Sequence, residues 1–270
     1  MTSKKLILLK FGGSIITHDD QFESYKQETV IDLVKQIDQL TNEYQFIIVH
    51  GAGSFGHYHA KKHNLKNGFK TEEQLQGVVD THESMLKLDT LLLETIREFS
   101  SIRPLSFSPI NLVKTTNGEM VTFDLETIKK ALSLGFTPIA FGDVVFDTEL
   151  GFTILSGDKI VPYIAEQLKP EKILMFTDVN GVYDDNPKKN PDAKLLSEIN
   201  LNNTELLQKI SVNASSGKTR VTGEMEKKLL ELENVVKAGV ETWILSGLEK
   251  NSLYNKIATN DSRGTKVVFK

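Results

Sequence analysis

Short apolar runs that alternate with helical patterns constrain the fold of this chain more than any other feature of its sequence. Turn-forming residues bound each run, and apolar residues recur at helical spacing in segments 27–43 and 75–99. This alternation predicts an α/β fold built on a mostly parallel sheet. We expect strands at Lys5–Phe11, Gln45–His50, Arg103–Phe107, Thr137–Ala140, Lys172–Thr177 and Glu241–Leu245.

The middle of the chain predicts a β-hairpin, with strands Val144–Asp147 and Phe152–Ile154, followed by a helix over Asp158–Leu168. From about residue 171 strands and helices alternate again, so we expect two lobes, 1–170 and 171–270, on a single continuous sheet. The polar segment 184–194, rich in proline and asparagine, is expected to be a mobile surface loop.

Composition removes several classes of function. The chain has 270 residues, with 32 basic and 36 acidic side chains and no cysteine, which excludes disulfides, thiolate metal sites and cysteine nucleophiles. Its interspersed charges provide no extended basic face, so we expect no nucleic-acid partner. The apolar run at the N-terminus is too short for a signal peptide or a membrane span, and we therefore expect a soluble, cytoplasmic protein without membrane contact.

Glycine-bearing turns follow three of the predicted strands, at residues 10–14, 50–57 and 156–158. Glycine lets backbone N–H groups approach an anion closely, and a helix that begins at the turn adds the positive end of its dipole. Parallel sheets bind ligands at the carboxyl ends of their strands. One such turn is equally compatible with a plain strand ending, but three together predict a site for more than one phosphate.

Two glycine motifs are rejected as false matches. Residues 51–56 have the spacing of a dinucleotide-binding fingerprint, but that fold requires a strand with an acidic end about 20 residues later. Here a long helix begins near residue 73 instead. Gly217-Lys218-Thr219 resembles the end of a Walker A loop, yet Val212 stands where the first glycine is required. Neither a Rossmann oxidoreductase nor a P-loop enzyme is favoured.

Lysine and histidine side chains near these turns are the candidates for chemistry. Lys10 ends an apolar strand, where an unpartnered lysine is rare, so a phosphate is its expected partner. His57 follows the glycines of the second turn and can donate a hydrogen bond to a bound phosphate. Lys228, on a later helix, fits such a role only in combination with the others. His59 and His63 share a helical face but lack a supporting acid, so we predict no metal site.

In their order along the chain, these motifs resemble the amino-acid kinase superfamily and, within it, the isopentenyl phosphate kinases. The terminal histidine of the second motif, His57, separates members that phosphorylate a phosphate or phosphonate from those that phosphorylate a carboxylate. The resemblance spans essentially the whole chain. It comprises Lys10-x-Gly-Gly-Ser14 with Thr17, residues 50–57 (HGAGSFGH), Gly142-Asp143, Ser156-Gly157-Asp158, residues 177–183 (TDVNGVY) and 221–228 (VTGEMEKK).

The resemblance implies a three-layer αβα sandwich around a central, mainly parallel sheet, with the acceptor bound by residues 1–170 and ATP by residues 171–270. It implies a homodimeric enzyme of isoprenoid biosynthesis, in the mevalonate pathway, that transfers a phosphoryl group from ATP to isopentenyl phosphate with Mg²⁺. An acceptor phosphate is already anionic near pH 7, so the reaction requires no general base.

The resemblance also implies roles for individual residues. Lys10 and Lys228 would neutralise the transferring phosphoryl group, Asp158 would orient both lysines, and with His57 they form the expected catalytic set. The residues implied at ATP are Lys10, Gly12, Gly13, Ser14, Thr177, Asp178, Gly181, Tyr183, Gly223 and Lys228, and those at the acceptor are Ala52, Gly53, Gly56, His57 and Gly157. For the prenyl tail we expect an apolar slot on the buried side of the long helix, at Val79, Met85 and Leu86.

Two positions depart from the family pattern. His18 and Asp19 follow Thr17 where members carry a lysine, and Glu224 replaces a glycine. We expect His18 or Lys26 to substitute for the missing cation, since an acid near phosphates is otherwise repulsive. Two alternatives stay open: a kinase of another small phosphate or of a phosphonate such as fosfomycin, and a nucleotide-binding protein without turnover.

Overall fold

The computed structural model contains the predicted alternation of strands and helices, and it describes residues 4–215, 221–259 and 263–270. All six predicted strands are present, with ends that differ from the expected ones by no more than one residue. The strands are β1 (Lys5–Phe11), β2 (Tyr44–His50), β3 (Pro104–Ser106), β4 (Val113–Thr116), β5 (Glu119–Phe123), β6 (Thr137–Phe141), β7 (Asp143–Asp147), β8 (Gly151–Leu155), β9 (Lys172–Thr177), β10 (Glu198–Asn200), β11 (Glu241–Ser246) and β12 (Thr265–Val268). The helices are α1 (Gly13–Ile16), α2 (Gln27–Leu40), α3 (Gly53–Lys62), α4 (Glu73–Phe99), α5 (Pro109–Leu112), α6 (Glu126–Ser133), α7 (Gly157–Leu168), α8 (Thr204–Ser215), α9 (Val221–Glu231), α10 (Glu233–Lys237) and α11 (Ser252–Tyr254).

The central sheet has eight strands in the order β10-β12-β11-β9-β1-β2-β6-β3. Its pairings are parallel, apart from that of β11 with β12. Strand β1 lies in the middle and is buried from Ile7 onwards, which explains its nearly continuous apolar sequence. Strands from residues 1–170 form one half of this sheet and strands from 171–270 form the other.

Alternate side chains of β1 enter two separate cores. Ile7 and Leu9 pack with apolar residues of α2, α3 and α4, whereas Leu8 packs with those of α6, α7, α8, α9 and α10. Helices therefore cover both faces of the sheet. The three-layer αβα sandwich with a mainly parallel central sheet is confirmed.

A second sheet corrects the prediction that all strands join a single one. The predicted hairpin is present as β7 and β8, but it pairs with β4 and β5 in a four-stranded sheet of order β5-β4-β7-β8. The Asp147 carboxylate joins the two hairpin turns by accepting hydrogen bonds from the backbone N–H groups of Asn117, Gly118, Glu149 and Leu150 at 2.8–3.0 Å. Although burial acts to raise the pKa of Asp147, these hydrogen bonds lower it well below its usual range.

Helix α4 is 27 residues long and amphipathic, with one face buried against α2 and α3. Among the residues that the structure describes, neither α4 nor any other helix combines the length and the apolar composition that crossing a membrane requires.

Candidate active site

The carboxyl ends of four neighbouring strands define one edge of the central sheet. Phe11 of β1 pairs with His50 of β2 and with Phe176 of β9, and Thr177 of β9 pairs with Ser246 of β11. Backbone N–H groups just beyond these ends donate across the edge, from Gly12 to the Phe176 carbonyl at 3.0 Å and from Gly51 to the Phe11 carbonyl at 2.9 Å. The predicted glycine turns thus lie side by side, as the parallel topology requires.

The first two glycine turns are in backbone contact. A Cβ on Gly13 would lie 2.5 Å from the backbone nitrogen of Gly53, and Gly53 itself has φ +48°. Thr17 holds the turns together, because its hydroxyl donates to the Gly13 carbonyl at 2.9 Å and accepts from the Ser54 N–H at 3.0 Å. The sequence motif included Thr17 without a role, and the structure shows that it positions both turns.

The third turn joins the other two at the start of α7. A Cβ on Gly157 would lie 3.3 Å from the His50 carbonyl oxygen and 3.5 Å from Cε of Lys10. The Ser156 hydroxyl caps α7 by accepting from the Asp158 N–H at 3.1 Å. The N-termini of α3 and α7 therefore meet at one edge of the sheet, where their N–H groups can bind phosphates.

Lys10, Asp158 and Lys228 form the charged centre of the site. The Lys10 side chain is only 5% exposed, and its ammonium lies 2.7 Å from Oδ1 of Asp158. Burial acts to raise the pKa of Asp158, but Lys10 and then Lys228 outweigh it and hold the pKa below its normal value. Asp158 is therefore a carboxylate at neutral pH, and the structure places both predicted lysines around it.

Ser14 and Asp178 connect the first turn to the end of β9. The Ser14 hydroxyl donates to Oδ1 of Asp178 at 3.1 Å, and the Thr177 hydroxyl donates to the same oxygen at 3.2 Å. Lys188, in the polar loop 184–194, contacts the other carboxylate oxygen. Asp178 is therefore already well supplied with hydrogen-bond donors, which makes it a positioning group for this part of the edge.

Lys26 contacts the first glycine turn. Its ammonium donates to the Ser14 carbonyl at 2.7 Å, whereas His18 and Asp19 are exposed. Of the two residues expected to substitute for the missing cation, the structure brings Lys26 to the first turn.

Gly181 and Tyr183 lie farther along, next to β12. Gly181 has φ +144° and a Cβ there would approach the Thr265 hydroxyl oxygen to 2.5 Å, while Tyr183 bridges to Leu195. A cavity of about 340 Å³ opens beside this segment. Its lining residues are Asn180, Leu195, Glu249, Arg263 and Gly264.

Four of the residues expected at the acceptor, Ala52, Gly53, Gly56 and His57, lie together at the start of α3. His57 is exposed, one turn into the helix, while Gly56 is buried against α4. A Cβ on Gly56 would lie 2.7 Å from Sδ of Met85. Met85 is fully buried beneath the turn, so it supports the turn from within the core.

The expected buried slot on α4 is wrong for two of its three residues. Val79 is 56% exposed and Leu86 is 40% exposed, because the buried face of α4 includes Gly77, Thr81 and Met85 instead. A helix buried on one side directs only a limited arc of residues inward. Val79 and Leu86 lie beyond that arc and face solvent.

The half-buried His82 pairs with the buried Asp143, and sequence reasoning missed this pair. Nδ1 of His82 lies 2.6 Å from Oδ2 of Asp143, whose side chain is fully buried at the start of β7. The hydrogen bond to Asp143 raises the pKa of His82, while burial raises the pKa of Asp143. Asp143 belongs to the Gly142-Asp143 motif. His82 belongs to no motif and forms no recognisable spacing with residues near it in the chain, so nothing in the sequence pointed to it.

Several predicted features cannot be compared with the structure. Gly223 and Glu224 lie in the first turn of α9, of which only the backbone is described, and the rejected motif 217–219 lies outside the described residues.

Comparison with known proteins identifies the family. The sequence model of the amino acid kinase family matches residues 5–246. The chain belongs to the amino acid kinase family. The resemblance inferred from the motifs is thereby confirmed.

Individual relatives within the amino acid kinase family match nearly the full chain. The isopentenyl phosphate kinase of Methanothermobacter thermautotrophicus is 31% identical over 272 residues, which cover 98% of this chain and 100% of that protein. The isopentenyl phosphate kinase of Arabidopsis thaliana is 36% identical over 230 residues, 80% of this chain and 68% of that protein. A solved structure of an isopentenyl phosphate kinase superimposes with a TM-score of 0.83 at 29% identity, covering 97% of this chain and 100% of that one.

Proposed function

We propose that this enzyme transfers the γ-phosphoryl group of ATP to isopentenyl phosphate, which yields isopentenyl diphosphate and ADP. The observation that supports this most directly is the meeting of three glycine turns around the Lys10–Asp158 pair, with His57 at the second turn. Such an edge can hold two phosphate groups next to each other. The similarity to isopentenyl phosphate kinases over nearly the whole chain agrees with it.

In this proposal the chain contributes charge neutralisation and alignment. Lys10 and Lys228 stabilise the negative charge on the transferring group, and Asp158 keeps the two ammonium groups in place. N–H groups of the second and third turns hold the acceptor phosphate, to which His57 donates a hydrogen bond. The acceptor oxygen attacks the γ-phosphorus in line with the bond to ADP, which leaves as that bond breaks, and no proton has to be removed first.

We place the donor nucleotide along Gly12, Gly13 and Ser14, with its base toward the cavity beside Asn180. Helix α9, with Gly223 and Lys228, closes the other side. Residues 171–270 thus bind ATP together with the first turn, and the rest of residues 1–170 bind the acceptor. The Lys26 ammonium supplies the cation beside the first turn.

Mg²⁺ is expected to arrive with ATP, held by the phosphates and one or two carboxylates. Asp158 fits this requirement, because within the described part of the chain Oδ2 has just one hydrogen bond, a long one of 3.4 Å from the Ser156 hydroxyl. When bound, the ion would neutralise part of the phosphate charge.

We further propose that the enzyme is a homodimer that acts in isoprenoid biosynthesis in the cytoplasm. It has no membrane or nucleic-acid partner in this proposal, which rests on the family resemblance. Light scattering during gel filtration measures the assembly directly. A mass of twice one chain is the expected result.

The activity is tested by ADP release from Mg-ATP with isopentenyl phosphate, dimethylallyl phosphate, fosfomycin or no acceptor in parallel. We expect ADP release with isopentenyl phosphate well above the rate without acceptor, and diphosphate product by mass spectrometry. Turnover with fosfomycin alone would move the assignment to a phosphonate kinase. ATP binding with no turnover on any acceptor would leave a nucleotide-binding protein.

Replacing His57 with alanine is expected to lower kcat with isopentenyl phosphate by about 10²- to 10³-fold, the usual cost of one lost transition-state donor. Because His57 is exposed, the variant is expected to melt at the wild-type temperature. Lys61→Ala, on the exposed side of the same helix, is the matched control. Full turnover by His57→Ala would remove the proposed hydrogen bond.

Val79 and Leu86 remain candidates for contact with the prenyl tail, now as exposed apolar side chains beside His82. Replacing Val79 with aspartate is expected to raise KM for isopentenyl phosphate by about 10-fold or more, since a charge against an apolar group opposes binding. Val121→Asp in β5 is a matched control, because Val121 is also 56% exposed. An equal KM in both variants would exclude Val79 from the acceptor site.

A further inference from the structure

Two histidines at the end of α3 meet an aspartate that the sequence did not reveal. His59 and His63 lie one turn apart, and Asp80 of α4 faces both of them. Nδ1 of His59 is 3.8 Å and Nε2 of His63 is 3.6 Å from Oδ2 of Asp80, and the three ligand atoms lie within 4.8 Å of one another. The acid that was missing from the sequence pattern is therefore supplied by the neighbouring helix.

These separations are too long for hydrogen bonds. Both imidazole nitrogens are nevertheless shielded from solvent and have no hydrogen-bond partner among the described residues, which is costly for a polar atom. Bonds of about 2.0–2.1 Å to a tetrahedral zinc ion place neighbouring ligand atoms about 3.3 Å apart. The two nitrogen–oxygen distances are therefore close to those between ligands of one metal ion, although they also lie within ion-pair range.

The surroundings hold the three side chains in place. A Cβ on Gly77 would lie 2.3 Å from Cβ of His63, so only a glycine at this position of α4 admits the histidine. Gln74 donates to the His63 carbonyl at 3.2 Å. Gln76 donates to Oδ1 of Asp80 at 2.8 Å and leaves Oδ2 toward the imidazoles, which is how outer hydrogen bonds orient a metal ligand.

We propose that His59, His63 and Asp80 bind one divalent transition-metal ion, with Zn²⁺ the best match to two nitrogen ligands and one oxygen ligand. The ion clamps the end of α3 to α4, and α3 begins at the acceptor turn. A fourth position stays open to solvent or an external ligand. The proposal does not depend on the phosphoryl-transfer assignment.

Metal binding is measured on the full-length protein after treatment with EDTA. Titration with Zn²⁺ against a chromophoric chelator is expected to show one ion per chain, and Co²⁺ is expected to give the visible absorption of a low-coordinate site with nitrogen ligands. Zn²⁺ is also expected to raise the melting temperature, because it joins two helices. Absence of stoichiometric binding would overturn the proposal.

Variants assign the ligands. Asp80→Asn and His63→Gln are each expected to weaken Zn²⁺ binding by at least about 100-fold, since even changes to outer hydrogen bonds weaken metal sites by about 10- to 100-fold. Glu94→Gln, which alters another exposed acid of α4, is the matched control and is expected to bind like the wild type. Retained binding in both ligand variants, or loss in His57→Ala instead, would also overturn the proposal.

Discussion

Replacing Lys10 with methionine is expected to lower kcat by about 10³- to 10⁵-fold, the range found when a cation that stabilises a transferring phosphoryl group is removed. The Lys10 ammonium is buried and lies 2.7 Å from the Asp158 carboxylate. Methionine retains most of the side-chain volume but removes the positive charge. Single-turnover and steady-state rates with saturating Mg-ATP and isopentenyl phosphate measure the effect.

Lys5→Met is the matched control for this prediction. Lys5 lies on the same strand as Lys10, but its side chain is 62% exposed and pairs with Glu171 at the amino end of the sheet. We expect this variant to keep wild-type turnover. Thermal unfolding of both variants separates a lost catalytic charge from a lost fold. A folded Lys10→Met enzyme within about tenfold of wild-type kcat would contradict the assignment, because a tenfold change corresponds to only about 1.4 kcal/mol.

Replacing Gly53 with alanine is expected to destabilise the fold by about 2 to 5 kcal/mol. The added Cβ would approach Oγ1 of Thr17 to 2.0 Å, and overpacking costs about 1–3 kcal/mol. The left-handed backbone, φ +48°, adds about 1–2 kcal/mol for any residue with a Cβ. Because Thr17 positions both glycine turns, kcat/KM is expected to fall by at least about 10²-fold, the cost of a displacement of about 1 Å.

Gly135→Ala separates the cost of the left-handed backbone from the cost of the steric contact. Gly135 also has a positive φ, +84°, but a Cβ there would meet nothing within 4 Å. This variant is expected to lose only the backbone part, about 1–2 kcal/mol, with unchanged kcat/KM. Chemical denaturation and steady-state kinetics on both variants are the measurements. If Gly53→Ala behaves like Gly135→Ala, the contact between the turns does not matter for the site.

The second sheet includes a hairpin, β4–β5, that the sequence could have predicted. Asn117-Gly118 has positive φ at both residues and connects β4 to β5, and this dipeptide is a strong hairpin indicator. The pairing of that hairpin with β7 had no local signal, because it depends on the Asp147 carboxylate meeting two turns about thirty residues apart.

The sequence by itself determined the parallel central sheet, the glycine turns at its carboxyl edge and most of the strands, although it did not predict β4, β5, β10 and β12. These follow from local patterns: apolar runs buried on both faces, helical periodicity, and glycines directly after strands. It also singled out Lys10, because a lysine at the end of a buried strand requires a charged partner. Asp158 was named by the family resemblance.

Only the tertiary structure decided which side chains from distant segments share a site. It placed Lys26 beside Ser14, moved Val79 and Leu86 to the surface, and paired His82 with Asp143. It also brought Asp80 to the two histidines of α3. The physical reason is that helix rotation and helix-to-helix contacts depend on packing across the whole core, which no local spacing encodes.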